Sequence, residues 1–430
     1  MTQSTSVGPR FDVLGINQKI LSILRSNAFV VPTPIQNQCI PRALEGKDIV
    51  GIARTGTGKT LAFGIPMLQN LVNNQGQALV LVPTRELAIQ AEEMLYRIAD
   101  FLNIRTVVII GGASFEKQVR SIKRNPHIII ATPGRLLDHL NRKIFNLNRI
   151  KTIILDEADH MFDIGFFPDV KKILSLAPKE RQTLLFSATM PNEVMEIASK
   201  FMKIPVRIEV SPEGTAALGI RQELFILNNK LKSALLEKIL SDNTGTILVF
   251  TRTRYSTKKI TQVISAMGHT AAEIHSNRSL YQRKEALAGF KSGKYRVLVA
   301  TDIAARGIDV SNISIVINYD LPQNPGDYVH RIGRTGRGDS TGRAISFVTP
   351  DQRFSVRKIE RLTKKNISTT ILPELSELSD SVLKIIHSRE RSEKPKKNNY
   401  RFVSKTRTQG NHNRRRNKSG RPYFKKYSSR

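Results

Sequence analysis

The sequence predicts an α/β protein of two tandem doubly wound domains, each with a parallel sheet covered by helices, followed by a basic tail. Short apolar runs alternate with helix-like stretches twice over along the 430 residues. Such alternation implies parallel strands buried on both faces. A Gly-rich loop follows the first apolar run. Two adjacent carboxylates close a later one, where burial is expensive unless a positive group meets them.

The first domain is expected to hold strands at 48–52, 78–82, 106–110, 128–131, 152–155, 183–186 and 206–210. The second is expected to hold strands at 223–227, 246–250, 271–275, 297–300, 313–318 and 344–348. Helical patterns separate most of them, as at 61–73, 85–101 and 230–240. Residues 211–219 contain Pro212, Gly214 and Gly219 with little periodicity and read as the linker. The expected boundaries are 11–210 for the first domain, 211–220 for the linker, 221–367 for the second domain and 368–430 for the tail.

Composition limits the partners. The formal net charge is +32, which self-repulsion penalises and a polyanion relieves, nucleic acid before an anionic membrane. Residues 388–430 hold 16 Lys or Arg against two Glu, a net of +14, which leaves +18 on residues 1–387. Tyr400, Phe402, Tyr423, Phe424 and Tyr427 interleave those charges. The tail therefore reads as disordered alone and as a nucleic-acid tether, its cations meeting phosphates and its rings stacking on bases. The single cysteine, Cys39, excludes an intramolecular disulfide and any Cys-based zinc site, and fits a reducing compartment. Met1 to Arg10 has no apolar core, and no apolar run approaches 18 residues, so neither a signal peptide nor a membrane span is expected.

Ala53-Arg54-Thr55-Gly56-Thr57-Gly58-Lys59-Thr60 fits a phosphate-binding loop between a strand and a helix. Its glycines let backbone N–H groups approach phosphate oxygens, with a helix N-terminus behind them. Lys59 would reach the outer phosphates, and the Thr60 hydroxyl would ligate magnesium. Asp156-Glu157-Ala158-Asp159 lies 97 residues beyond Lys59. Asp156 would hold the magnesium, and Glu157 would orient or deprotonate an attacking water. Arg334 and Arg337 lie three apart and would point together from one helical turn.

With these motifs in place, residues 11–365 resemble the DEAD-box ATP-dependent RNA helicases. The resemblance implies two RecA-like domains, ATP and Mg2+ as cofactors, RNA as the partner, and ATP hydrolysis coupled to local unwinding or remodelling of RNA. It implies that Gln36 reads the adenine edge, supported by Phe29, with Phe11 stacking on the base. Pro83-Thr84-Arg85, Gly111-Gly112 and Thr132-Pro133-Gly134-Arg135 would line the RNA backbone groove of the first domain, and Thr251, Thr301 and Arg306 that of the second. Ser187-Ala188-Thr189, Asp159 and His330 would couple the domains. Asp309 would meet the nucleotide sugar, and Arg334 and Arg337 would reach the γ-phosphate. Leu280 stands where the family often has glutamine, which removes one polar interdomain contact that Gln282 could partly replace; Arg283 matches. An ATP-gated RNA clamp or assembly scaffold with little unwinding would use the same residues. A DNA-translocating motor is the other alternative, which the Asp-Glu-Ala-Asp form and the Phe29–Gln36 segment oppose. The minimal linker and basic tail look most like the bacterial RhlE-type branch, which implies a cytoplasmic monomer acting on ribosomal precursors or beside RNA-decay proteins, with no membrane.

Overall fold

The computed structural model describes residues 10–53, 56–73, 76–210, 219–305, 313–336 and 342–387. Seven parallel strands form the first sheet: β1 (Ile49–Ile52), β2 (Gln77–Leu81), β3 (Thr106–Ile109), β4 (Ile128–Ala131), β5 (Ile150–Leu155), β6 (Gln182–Ser187) and β7 (Val206–Glu209). Their order is β3-β4-β2-β5-β6-β1-β7. The second sheet holds β8 (Ile220–Ile226), β9 (Ile247–Phe250), β10 (Ala271–Ile274), β11 (Val297–Ala300), β12 (Ile315–Asn318), β13 (Gly342–Val348) and β14 (Ser368–Thr369). It runs β10-β11-β9-β12-β13-β8-β14, again all parallel. Each sheet is an open, doubly wound RecA-like arrangement.

Inner strands such as β4, β9 and β11 are apolar throughout because helices cover both sheet faces. Successive side chains on β5 show this. Ile153 and Leu155 join one apolar cluster of the first domain, while Ile154 joins the cluster on the opposite face. In an open parallel sheet the chemistry collects beyond the carboxyl ends of the strands. Here Ala53, Thr84, Gly111, Thr132, Asp156 and Ser187 end or follow β1, β2, β3, β4, β5 and β6. Thr251, His275, Thr301 and Asp320 do so for β9 to β12.

Three boundaries differ from the sequence reading. The linker expected at 211–220 lies outside the described residues up to 218, and Ile220 already opens β8. The helix expected at 61–73 starts at Lys59. The second domain continues past 367, where the basic tail was expected to begin. Ser368–Thr369 pairs with β8, Leu372 and Leu375 pack on the apolar cluster of the second domain, and helix Asp380–His387 follows with Val382 fully buried. Lys259 Nζ donates to the Ile386 carbonyl at 3.0 Å. A two-residue polar strand carries no periodicity, so composition could not separate this segment from a tail. Residues 388–430 lie outside the described residues. Among those described, no helix is long and apolar enough to cross a membrane.

Asp48 fastens the β6-β1-β7 edge of the first sheet. Its carboxylate accepts from the Thr183 N–H at 2.7 Å and the Lys203 N–H at 2.6 Å, so it joins the strand segments that flank β1. Removing it orphans two backbone donors, each costing roughly 1–3 kcal/mol where buried. Asp48→Ala should therefore lower stability by about 2–4 kcal/mol in denaturant unfolding, with Asp48→Asn losing less.

Candidate active site between the two domains

The phosphate loop is shaped by two glycines in the left-handed region, Gly56 (φ +86) and Gly58 (φ +89). A Cβ on Gly58 would sit 2.4 Å from Gln36 Nε2, so only glycine admits the glutamine there. Gln36 Nε2 donates to the Gly58 carbonyl at 3.0 Å, and its Oε1 accepts from the Thr33 N–H at 2.9 Å. Gln36 is thereby fixed against the loop. Phe11 is buried in the first domain's apolar cluster, and with Phe29 it lines a depression that also holds Arg10 and Arg25. Arg54 and Thr55 lie outside the described residues.

Lys59 opens the helix Lys59–Asn73 and is 6% exposed. Its Nζ has no hydrogen-bond partner among the described residues. A buried ammonium with no partner is costly, and a phosphate oxygen is the acceptor its position suits. The helix N-terminus behind it adds to that preference. Thr60 is the next residue, with its side chain half-buried.

Asp156, Glu157 and Asp159 are all buried beyond the end of β5. Burial pushes the Asp156 carboxyl up to about 6, against the pull of Lys59 and with the push of Glu157. Burial also opposes charge on Glu157, but the hydrogen bond from His160, the Lys59 charge and Arg334 hold it well below the usual carboxylate range. His160 Nδ1 lies 3.3 Å from Glu157 Oε2. For Asp159 burial is likewise overcome by His330, Lys59 and the Thr189 hydroxyl, and its carboxyl is lowered. Glu157 itself takes φ +51, rare for a non-glycine residue and the kind of backbone strain that gathers at functional sites.

The Ser187-Ala188-Thr189 turn grips Asp159. Its Oδ2 accepts from the Ala188 N–H (3.2 Å), the Thr189 N–H (3.0 Å) and Thr189 Oγ1 (2.8 Å), while the Asp159 N–H donates to Ser187 Oγ (3.3 Å). Opposite lies helix Pro325–Ile332 of the second domain and the turn after it. Lys59, Glu157, Asp159, His160 and Ala188 share one small cavity with His330 and Arg334. Side chains of both domains thus enclose it. Arg337 and Asp309 lie outside the described residues.

The groove residues vary in what they offer. The Arg85 guanidinium lies over Gly111 and Gly112, where a Cβ on Gly112 would meet Nη1 at 2.3 Å. Thr84 caps its helix by accepting from the Leu87 N–H at 3.3 Å. Thr132, Pro133 and Gly134 start the helix Pro133–Asn141. Arg135 is held by the Ala113 carbonyl (3.1 Å) and by the Phe115 ring, 4.9 Å away. Thr301 stands at the start of the short helix Asp302–Ala305. Thr251 is fully buried, and its hydroxyl is 2.8 Å from that of Thr257, so its side chain is turned into the fold. Arg306 lies outside the described residues.

Three residues, Arg331, Glu86 and Arg283, make contacts that the sequence reading did not assign to them. Arg331, between the expected coupling and catalytic groups, is 2% exposed. It donates to both Asp302 oxygens (2.5 and 2.8 Å), to Asn318 Oδ1 (3.1 Å) and to the Asp320 carbonyl (2.6 Å), and it lies over the Phe250 ring. It fixes the helix that carries His330 to the ends of β9, β11 and β12. Glu86 and Arg283 form a buried ion pair at 2.6 Å across the two domains. Gln282, which could partly replace the missing glutamine contact, forms a capping box with Ser279.

Residues 33–197 match the DEAD/DEAH box helicase family, and residues 230–339 match the helicase conserved C-terminal domain. A DEAD-box ATP-dependent RNA helicase, CshA of Geobacillus kaustophilus, is 43% identical over 370 residues, spanning 85% of this chain and 79% of that protein. The chain belongs to the DEAD-box ATP-dependent RNA helicases. The ATP-dependent RNA helicase CshA of Listeria monocytogenes is 42% identical over 87% of this chain and 73% of its own length. Among solved structures, Saccharomyces cerevisiae Dbp5 bound to RNA and ADP BeF3 is 31% identical over 84% of this chain and 95% of that one, with a TM-score of 0.75. Mss116p bound to single-stranded RNA and AMP-PNP is 28% identical, covers 87% and 82%, and scores 0.78. A DEAD box protein from Methanococcus jannaschii is 40% identical over 84% of this chain and 99% of that one, yet scores 0.50. Both RNA- and nucleotide-bound structures match across the two domains of this helicase.

Arg331 bears directly on that arrangement. Cutting a buried charge network by removing one partner costs roughly 3–5 kcal/mol. Arg331→Ala should lower the second domain's unfolding transition by about that amount, and Arg331→Lys should recover little, because lysine cannot make the paired contact to Asp302.

Proposed function

We propose that this helicase assembles its hydrolytic site only when RNA draws the two domains together. The observation that carries this reading is the shared cavity, where Lys59, Glu157 and Asp159 of one domain meet His330 and Arg334 of the other. In the assignment we favour, Gln36 holds the adenine edge with Phe11 and Phe29 nearby, and the loop from Ala53 to Thr60 binds the phosphates. Lys59 meets the outer phosphates, and Thr60 and Asp156 hold magnesium. That ion would neutralise phosphate charge and draw electron density from the bond to be broken. A magnesium-phosphate pair fits these residues: the phosphate supplies the acceptor that the Lys59 ammonium lacks, and the buried Asp156 carboxyl takes the cation.

Glu157 keeps its charge at neutral pH and so is set to accept a hydrogen bond from the attacking water, with Oε2 turned to His160. Its lowered pKa suits orienting that water better than removing its proton in the ground state. Arg334, with Arg337, would meet charge developing on the transferred phosphoryl group. Asp159, gripped by Ser187 and Thr189 and facing His330, would relay closure between the domains.

RNA would run along Thr84, Arg85, Gly111, Gly112 and Thr132 to Arg135 of the first domain, and Thr301 and Arg306 of the second. Contacts there are to phosphates and 2′-hydroxyls, so recognition is largely independent of sequence. Residues 11–210 and the region from 220 to 387 are the two working domains, and the basic residues 388–430 would tether RNA. The branch is argued from likeness alone. The tail and linker suggest an RhlE-type protein, while the similar relatives above carry the name CshA. Ribosome assembly or RNA turnover fits either, in the cytoplasm, where Cys39 stays a thiol.

Glu157→Gln should abolish turnover while nucleotide still binds; ATPase near the unaltered rate rejects the role given to Glu157. The Asp156 carboxyl adds a pH dependence. It is charged above about 6 in the nucleotide-free protein, so the affinity for magnesium-nucleotide should fall as pH drops through that value and recover above it. A nucleotide titration with a fluorescent analogue from pH 7.5 to about pH 5, roughly one unit or more either side of that value, reads this directly.

A further inference from the structure

The domains meet at a second place, away from the nucleotide cavity. Helix Leu280–Lys291 of the second domain starts against helix Arg85–Ala99 of the first. Arg283 Nη2 reaches Glu86 Oε2 at 2.6 Å, and both side chains are under a tenth exposed. Neither is fully satisfied, since Arg283 Nε and Glu86 Oε1 lack hydrogen-bond partners among the described residues. Arg85 also stands close enough to Arg283 to oppose its charge. A buried pair in that condition roughly breaks even against its lost hydration. It fixes register without driving the surfaces together.

Three residues earlier stands Leu280. It packs against the apolar cluster of the first domain, although it belongs to the second. Leu287 and Phe290, farther along the same helix, pack within the second domain instead. Leu280 therefore has little to gain from its own domain and buries its surface only when the two meet. Apolar contact is non-directional and carries no desolvation cost, so here it supplies what the ion pair lacks.

We propose that Leu280 is a positioning residue that favours domain closure, with Arg283–Glu86 setting the register and Leu280 supplying net attraction. The inference rests on the RNA-coupled reading of the preceding section. In that reading a phosphate near Arg85 also relieves its opposition to Arg283, so RNA and the latch engage together.

The test compares full-length Leu280→Ser and Leu280→Met with the unaltered protein, measuring ATPase against the concentration of a single-stranded RNA. Losing about half of a leucine's burial should raise the RNA concentration for half-maximal stimulation roughly five- to tenfold, while the rate at saturating RNA changes by less than about twofold. Leu280→Met keeps the apolar contact and should stay near the unaltered value. A residue with a merely structural role would lower the melting temperature and the saturating rate instead. An unchanged half-stimulating concentration in Leu280→Ser, or a fall in saturating rate alone, overturns the proposal. If RNA fails to stimulate the unaltered protein, the RNA-coupled reading itself falls, and this inference with it.

Discussion

Three carboxylates stand within four residues, 156–159, in a buried site, and the rest of the molecule is arranged around the balance of their charge. Burial raises Asp156, whereas Glu157 and Asp159 remain charged because cations surround them. Lys59 is the cation from the same domain. Arg334 comes from the other, with the His330 ring beside it. The first domain by itself leaves this acidic turn only partly compensated, and the second completes it. That asymmetry makes closure an electrostatic event as much as a mechanical one.

The supporting structure serves this meeting. Beyond the sheet's carboxyl edge, the Ser187–Thr189 turn orients Asp159 with four hydrogen bonds, leaving it little freedom to adapt when His330 arrives. On the other side, Arg331 fixes the helix bearing His330 to three strand ends at once. Rigidity on both faces means that the fit is made by moving whole domains, since local adjustment would break buried polar networks.

Much of this was legible in the chain. Most of the strands are short apolar runs, and burial on both sheet faces is what makes such runs readable. Ser368–Thr369 was not legible, because a two-residue polar strand leaves no pattern. The phosphate loop and the acidic turn announce themselves through residue types that are costly without phosphate and metal. Arg331 could not be told from its neighbours Arg334 and Arg337, since only the fold shows which arginine is buried and bidentate. Glu86 and Arg283 lie 197 residues apart, and nothing local marks them as partners. Thr251 follows β9, and only the fold shows that its hydroxyl turns to Thr257. Likewise only the fold shows that Gln282 caps its own helix start.

The most direct measurement of the account is the distance between the domains in solution. Cys39 is fully buried, and burial pushes its thiol up to about 12, so it does not compete with cysteines introduced at exposed positions for dye labelling. With one dye on each domain, energy transfer should stay low in the free protein and with RNA or a non-hydrolysable magnesium-ATP analogue alone. It should rise sharply when both are present. Equal transfer in all four conditions, or a full rise with the nucleotide alone, would contradict the claim that the acidic site is completed by RNA-coupled closure.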